Sequence, residues 1–302
     1  MDVLIVGGGL SGLATAAFLA ARGIPATVVE RRPEIPRAPR NHLLSDTTMR
    51  LLDAAGLGAA VRGIALGRPG RMFAVDTLAD RDKTLIHTPA EGVSCNERAL
   101  EELLLAEARR RGAEVRMGVE VMDPEAEYVI AADDGTIRKC LGIGVHGPGR
   151  IGLSRVIRFR ADLADLAGRD GYLVRSVRGI LLPEEPGTPG TWSLTVPEAA
   201  DPARQVAAAL GAGRAAELLG VTTMEIAGRV ADRFVCDRVI LMAKSAYTAP
   251  PVPGLHGDSR VQDAHHVAET LATGAPLDTY DQERRPAAER AMARALSERF
   301  SL

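Results

Sequence analysis

The chain has few cysteines, and they are widely spaced. Cys95, Cys140 and Cys236 form no Cys-x-x-Cys pair and no Cys/His ligand spacing. That pattern argues against a disulfide framework and against a zinc site, so we predict no metal. An odd number of separated thiols is typical of reduced cysteines, which indicates a cytoplasmic protein.

Long apolar runs and a cationic excess are also missing. No run approaches the ~20 residues that span a bilayer, and the first strand follows no basic leader, so we expect neither a membrane anchor nor a signal peptide. Lys and Arg number 37 against 39 Asp and Glu, a net charge of -2. Because a phosphate-binding surface needs excess positive charge, we expect no nucleic-acid partner.

The hydrophobic pattern predicts an α/β protein with a second sheet. With 302 residues, 46% of them hydrophobic, the chain can form one large domain or two intimate ones. Short apolar runs at Val3–Val6, Ala26–Glu30 and Arg238–Met242 are typical of buried parallel strands. From Arg155 onward, strand-like segments of alternating apolar and polar residues are separated by turns rich in Pro and Gly, which favours an antiparallel sheet. Helices are predicted at Leu13–Arg22, Thr47–Ala55, Glu97–Arg111, Pro202–Leu219, Gln262–Thr273 and Tyr280–Glu298, and a further strand at Glu114–Val121.

A glycine-rich turn follows the first strand. Gly7, Gly9 and Gly12 have the spacing Gly-x-Gly-x-x-Gly between a strand and a helix, and Glu30 ends the next strand. This is the context that a dinucleotide fingerprint requires. Gly7 makes the tight turn, Gly9 admits a pyrophosphate, and Gly12 allows the helix to pack on the strand. Glu30 can accept hydrogen bonds from a ribose. The alternative is a turn kept only because the fold needs it.

Several segments carry a family resemblance. Residues Asp2–Pro33 resemble FAD-binding Rossmann domains in general. Later segments narrow the resemblance to the para-hydroxybenzoate hydroxylase-like, FAD-dependent monooxygenases, especially those acting on bacterial polyketides. These segments are Ser94–Gly118, Tyr128–Ile143, Val156–Leu163, Arg238–Asp263 and Leu277–Arg290.

The resemblance implies an architecture. We expect a glutathione-reductase-like, FAD-binding Rossmann domain interleaved with an antiparallel-sheet substrate domain. The first is predicted at residues 1–70, 95–150 and 230–302, and the second at 71–94 and 151–229.

The sequence departs from the family at the flavin end. Where the family has Gly-Asp-Ala-Ala-His, whose Asp binds the ribityl chain, this chain has Ala243-Lys244-Ser245-Ala246-Tyr247. Glycines near the flavin correspond to Pro253, His256 and Arg260, and any that needed φ > 0 are obstructed. The Asp-Gly turn reads Asp133-Asp134, and a family Gln corresponds to Glu97. These changes predict that Gly7, Gly9, Gly12 and Glu30 are vestigial or hold only a nucleotide end. We therefore predict that no cofactor is required, with FAD as the alternative and no role for NADPH.

Three functions are compatible with these features. The first is a tailoring enzyme that cyclises or isomerises a small, largely apolar, polyketide-like substrate without redox chemistry, for example by cycloaddition. The second is an FAD-dependent hydroxylase or epoxidase. The third is a non-catalytic binding protein. The sequence leaves the oligomeric state open.

Five residues around the flavin end are candidate catalytic groups. Tyr247 or His256 can donate a proton to a carbonyl, and Lys244 or Arg260 can stabilise an enolate. Asp258 completes the set. Each also has a structural interpretation: Lys244 paired with Asp258 to fill the cofactor space, Tyr247 as a packing residue, and His256 as a solvated loop residue.

Overall fold

A computed structural model describes residues 1–36, 41–68, 70–80, 82–87, 91–166, 170–184, 190–199, 201–250 and 256–300. The helices are α1 Leu10–Ala21, α2 Asp46–Ala54, α3 Gly58–Gly63, α4 Glu97–Arg110, α5 Thr136–Cys140, α6 Pro202–Leu210, α7 Ala243–Ala246, α8 His256–Thr273 and α9 Asp278–Phe300. The strands are β1 Val3–Val6, β2 Thr27–Glu30, β3 Asn41–Ser45, β4 Met72–Val75, β5 Thr84–His87, β6 Gly92–Asn96, β7 Glu114–Met117, β8 Tyr128–Ala131, β9 Val145–Arg160, β10 Gly171–Val174, β11 Gly179–Pro183, β12 Thr191–Pro197, β13 Glu217–Ala231, β14 Val235–Cys236, β15 Val239–Leu241 and β16 Tyr247–Thr248.

A six-stranded sheet forms the first layer of the fold, in the order β14-β15-β8-β1-β2-β7. All its pairs are parallel except β14 with β15. Its central strands are short apolar runs, with Ile5, Val28 and Ile130 fully buried. Helices α1, α4 and α8 pack together beside this sheet. Because the five parallel strands run the same way, the ends of β1, β2, β8 and β15 meet at one edge.

An eight-stranded sheet forms the second layer, in the order β16-β13-β9-β12-β11-β10-β4-β5. It is antiparallel apart from the pair β10 with β4. Alternate residues of β9 and β12 form one buried face with α6, including Ile157, Phe159, Trp192 and Leu194. The predicted architecture, a Rossmann-type α/β fold with an antiparallel sheet, is confirmed; the domain boundaries stay a prediction.

Several predicted elements have different bounds. The helix predicted over Pro202–Leu219 ends at Leu210, because Gly211 has φ +79° and leaves the helical region. Residues from Glu217 then form β13, which pairs with β9. The strand predicted over Glu114–Val121 ends at Met117, before Gly118 at φ +76°. The last two helices begin early: α8 starts at His256, six residues before the predicted Gln262, and α9 starts at Asp278.

None of the helices in the described ranges combines the length and the apolar character needed to cross a membrane.

Candidate functional site

An open cleft lies at the edge where β1, β2, β8 and β15 end. Residues from the glycine turn, the end of β2, α4, residues 119–122, the turn after β8 and the start of α7 line it. Ligands in open α/β sheets bind at this edge. The structure therefore places Gly7, Gly9 and Glu30 of the predicted fingerprint in the wall of a cleft.

The three glycines of the turn have different reasons to be glycine. Gly7 has φ +115°, and a Cβ there would lie 2.4 Å from the backbone oxygen of Ala132. A Cβ on Gly12 would lie 1.9 Å from the Gly7 oxygen. Gly9 has an ordinary extended backbone, and a Cβ there would meet no atom closer than Glu101 Oε1 at 3.7 Å. Gly7 and Gly12 are thus required by the fold, whereas Gly9 leaves space in the cleft that a ligand can use.

Glu30 is the last residue of β2, and hydrogen bonds fix the position of its carboxylate. Its side chain is 5% exposed, and Oε2 accepts a hydrogen bond of 2.6 Å from the Gly8 amide. Oε1 accepts bonds from the Arg32 amide at 2.9 Å and from Arg32 Nε at 2.7 Å. Burial acts to raise the pKa of Glu30, but the hydrogen bonds from Arg32 and Gly8 outweigh it and lower the pKa. An ionised acceptor therefore faces the place where a nucleotide ribose would lie.

The flavin end of the cleft is bounded by Ala243 and Lys244. Ala243 stands where the family has glycine, and it adopts φ +52°, a left-handed conformation that is uncommon for a residue with a Cβ. Lys244 is exposed in the cleft. The replaced glycine has therefore not closed this part of the site. Residues 251–255, which include the predicted obstruction at Pro253, lie outside the described residues.

The two aspartates at the end of β8 have structural partners. Asp133 accepts hydrogen bonds from the Ile137 amide at 3.0 Å and from the Ser245 hydroxyl, and so joins α5 to α7. Asp134 accepts from Arg31 at 2.9 Å and from the Thr136 hydroxyl. Both aspartates line the cleft, but their carboxylate oxygens already accept hydrogen bonds from other residues of the protein.

A cluster of charged groups lies where α4 and α8 begin. Glu97 and Arg260 line the cleft, with Arg260 Nη1 3.8 Å from Glu97 Oε1. His42 Nε2 lies 3.2 Å from Glu97 Oε2, and both side chains are about nine-tenths buried. Sequence reasoning noted Glu97 and Arg260, but it missed His42 because β3 comes next to α4 only through tertiary packing.

Of the five predicted catalytic residues, Lys244 and Arg260 line the cleft, and Tyr247, His256 and Asp258 do not. Asp258 Oδ1 accepts from the Ser45 amide at 2.7 Å. His256 is in the first turn of α8 with Nε2 3.2 Å from the Pro250 oxygen, so it is not a solvated loop residue. Burial and the nearby Arg260 lower the pKa of His256 to about 4.

Tyr247 belongs to a buried cluster between β16 and the last two helices. Its ring stacks on Phe234 with centroids 6.4 Å apart. Burial and the neighbouring Asp263 raise the pKa of the Tyr247 hydroxyl, which disfavours ionisation at neutral pH. The contacts of Tyr247 are those of a packing residue, and its catalytic role stays a prediction.

The residues at the nucleotide end of the cleft are suited to bind a dinucleotide. Ser11 Oγ, in the first turn of α1, is buried and has no hydrogen-bond partner among the described residues, although Ser11 lines the cleft. Buried hydroxyls are normally paired, so this one is open to a ligand. With the space at Gly9 and the acceptor at Glu30, the nucleotide end fits the AMP and pyrophosphate parts of FAD. By contrast, no group of three or more His, Cys, Asp or Glu side chains among the described residues could hold a metal ion.

Comparison with known proteins agrees with that fit. The family described as FAD binding domain matches residues 1–295. Aklavinone 12-hydroxylase RdmE of Streptomyces purpurascens is 31% identical, over 98% of this chain and 68% of its own length. Tetracenomycin B2 monooxygenase-dioxygenase of Streptomyces olivaceus is 28% identical, over 95% of this chain and 66% of its own length. For other curated relatives, this chain covers as little as 57% of the relative's length.

Solved structures show the same similarity. The ternary complex of aklavinone-11 hydroxylase with FAD and aklavinone matches with a TM-score of 0.84 and 27% identity, covering 98% of this chain and 68% of that one. The rebeccamycin biosynthetic enzyme RebC with reduced flavin matches with a TM-score of 0.84 and 25% identity, covering 97% and 66%.

These findings correct the prediction about the cofactor. The matched family is defined by FAD binding, and the solved relatives contain FAD or reduced flavin, so the prediction that no cofactor is required is wrong. The prediction rested on the altered side chains at the flavin end, whereas the backbone turn, Glu30 and the open cleft are retained at the nucleotide end. The chain belongs to the para-hydroxybenzoate hydroxylase-like FAD-binding family, in its polyketide-tailoring branch.

Proposed function

We propose that this chain is an FAD-dependent monooxygenase that hydroxylates a small aromatic polyketide. One observation carries the proposal: the nucleotide end of the cleft is built for a dinucleotide and is open. Gly9 leaves room for a pyrophosphate, Ser11 presents a hydroxyl that has no partner among the described residues, and Glu30 is held ionised. The chain spans 57–68% of the length of its first curated relatives, so their activities support this function by similarity.

The cofactor would be held mainly by the first turn of α1 and by Glu30. The N-cap of α1 is Gly9, which has no side chain to satisfy the amides that begin the helix. These amides and the helix dipole favour a phosphate. Glu30 accepts from the ribose, and Lys244 and Arg260 add positive charge to the same cleft. When bound and reduced, FAD supplies the activation of dioxygen on which hydroxylation depends.

We place the substrate site on the face of the eight-stranded sheet opposite the one that packs on α6. Side chains alternate along a strand, so Arg158 and Ser193 face away from the buried Phe159 and Trp192. On that face Arg158 Nε bonds the buried Glu184 at 2.6 Å, and Asn41 of β3 donates to the Glu184 backbone oxygen at 2.9 Å. The face thus looks toward β3, which adjoins the start of α8. A flat, largely apolar ring system suits a site between two such layers.

The overall reaction balances as follows. A substrate C–H bond, dioxygen, a reduced nicotinamide and a proton give the C–OH product, water and the oxidised nicotinamide. One oxygen atom enters the substrate, and two electrons from the nicotinamide reduce the other atom to water. A non-redox cyclisation or isomerisation would instead give a product of unchanged composition.

Isotope labelling tests this proposal. The protein would be incubated with FAD, a reduced nicotinamide, aklavinone as the probe and ¹⁸O-labelled dioxygen, with a parallel reaction that omits the reductant. We expect a product carrying one ¹⁸O atom that forms only with the reductant. An isomeric product formed without the reductant would contradict hydroxylation and support the cyclase hypothesis. Binding of aklavinone with no product would favour the binding-protein hypothesis for this substrate class.

A further inference from the structure

Arg158 and Glu184 form an ion pair on the face of the eight-stranded sheet that looks toward β3. Arg158 Nε donates to Glu184 Oε1 at 2.6 Å, and Nη2 donates to Oε2 at 2.9 Å. This pairing uses one edge of the planar guanidinium, so Nη1 points away from Glu184. Nη1 forms no hydrogen bond with any residue that the structure describes, and 37% of the Arg158 side chain is exposed. The ion pair therefore holds a donor in place and leaves it available to a ligand.

The surface beside Arg158 is open and largely apolar. In the sheet register Arg158 lies between Ser193 of β12 and Gly220 of β13. Leu182 of β11 lies opposite Ser193 and is 36% exposed. Residues opposite one another in a sheet share a face, and a Cβ at Gly220 would meet none of the described atoms within 4 Å. The next row on the same face consists of Ile180, Thr195 and Val156. A flat ring system can therefore lie on this surface with an edge against the guanidinium.

Glu184 determines the net charge of this surface. Its side chain is 5% exposed, and its backbone oxygen accepts a hydrogen bond from Asn41 at 2.9 Å, so its carboxylate stays opposite the guanidinium. The next arginine on this face, Arg160, is paired with Glu217 at 2.7 Å and adds no net charge. A carbonyl oxygen can accept from Arg158 Nη1 at no electrostatic cost, whereas a carboxylate would bring a second negative charge close to Glu184. The surface is thus suited to uncharged acceptors.

We propose that Arg158 determines substrate specificity by donating a hydrogen bond from Nη1 to a carbonyl oxygen of an uncharged aromatic polyketide. Glu184 positions the guanidinium and makes the site discriminate against substrates that carry a carboxylate. The inference rests on the substrate face of the proposed function, and it names the substrate class for that face: fused-ring ketones or quinones without a free acid.

The charge preference of the site tests this inference. Aloe-emodin and rhein share the same dihydroxyanthraquinone ring system, and aloe-emodin has a hydroxymethyl group where rhein has a carboxylate. Binding of each compound to the protein supplied with FAD would be measured by equilibrium dialysis. We expect the unmodified protein to bind aloe-emodin at least about tenfold more tightly than rhein, because the carboxylate of rhein would lie near Glu184.

Two variants change the site in different ways. Glu184→Gln keeps the shape of the side chain and removes its charge, so the ratio of aloe-emodin to rhein affinity should fall about tenfold. Arg158→Met removes the donors and keeps an apolar stem, so aloe-emodin affinity should fall about tenfold. Glu198→Gln is the matched control: Glu198 pairs with Arg155 at 2.9 Å, and by alternation Arg155 lies on the face that packs on α6. The control should leave the ratio unchanged.

Three results would each overturn the inference: binding of rhein that equals or exceeds that of aloe-emodin, an unchanged ratio in Glu184→Gln, or an unchanged aloe-emodin affinity in Arg158→Met. Absence of binding by both compounds to the unmodified protein would overturn it as well. A purely structural ion pair would lower the melting temperature of Glu184→Gln without changing the ratio. If Glu184→Gln does not fold, the unmodified protein and Arg158→Met still decide the question.

The outcomes also separate this inference from the proposed function. If the affinities change as expected but aklavinone gains no ¹⁸O, hydroxylation fails and the assignment of Arg158 stands. If aklavinone gains ¹⁸O and the ratio does not respond to Glu184→Gln, the assignment fails and hydroxylation stands.

Discussion

The two ends of the cleft are built in different ways. The nucleotide end depends on the backbone. A Cβ at Gly7 or Gly12 would clash with backbone atoms, so only glycine fits there, and backbone amides hold the Glu30 carboxylate in place. The flavin end depends on side chains, with Lys244 and Arg260 where the family has an aspartate and glycine. Backbone geometry is required by the fold and resists change, whereas exposed side chains can be replaced. Altered motif side chains at one end therefore do not imply loss of the cofactor.

The largest effect is expected from Gly12→Val. The new Cβ would lie 1.9 Å from the Gly7 oxygen, and neither backbone can move without separating α1 from β1. We expect a loss of about 3 kcal/mol or more in the free energy of unfolding, measured by denaturant titration. Gly63→Val is the control, because a Cβ at Gly63 meets nothing within 4 Å. Equal stability of the two variants would show that the packing at Gly12 is unimportant.

Gly9→Val should separate cofactor binding from folding. Gly9 has an extended backbone that valine can adopt, and its Cβ would project into open cleft. The branched side chain would occupy the approach of the pyrophosphate, so we expect FAD affinity to fall by about 100-fold or more. Denaturant titration should show little change in stability. Retention of FAD affinity in Gly9→Val would mean that the phosphates lie elsewhere.

Lys244→Asp examines the flavin end. An aspartate restores the acceptor that the family uses for the ribityl chain, but it adds negative charge near the phosphates. We expect the ratio of FAD to ADP affinity to rise about tenfold, the value of one hydrogen bond involving a charged group. Lys139→Asp makes the same charge change at an exposed site outside the cleft and should leave the ratio unchanged. A fall in the ratio would indicate that Lys244 itself holds the flavin end.

The smallest effect is the pH dependence contributed by Glu30. Its pKa in the folded protein is below the ordinary 4.5. A lowered pKa means that its stabilising contribution is complete above about 4.5 and is lost as the pH falls through the lowered folded value. We expect Glu30→Gln to be less stable than the unmodified protein at neutral pH by about 1 kcal/mol, with a smaller difference in acid. Melting curves between neutral and acidic pH would show this convergence. Parallel curves would contradict it.

The two ends also differ in how well sequence could predict them. The glycine spacing, the strand before it and Glu30 are local features, and the structure brings Gly7, Gly9 and Glu30 together in the cleft. His256 and Asp258 do not line it, because α8 begins six residues before the predicted start and Asp258 accepts a hydrogen bond from Ser45, distant in sequence. Ser11 lies within the fingerprint, but that its hydroxyl has no partner among the described residues appears only in three dimensions.

The central claim is that the backbone-built end of the cleft keeps FAD as the cofactor despite the altered flavin end. The most direct test is to titrate FAD and ADP into the purified protein by calorimetry and compare the two affinities. The visible flavin absorption of the protein after gel filtration then shows whether FAD stays bound. We expect saturable binding of both ligands, with FAD retained through gel filtration and most of the binding free energy already present for ADP. Absence of FAD binding, whether or not ADP binds, would contradict the account.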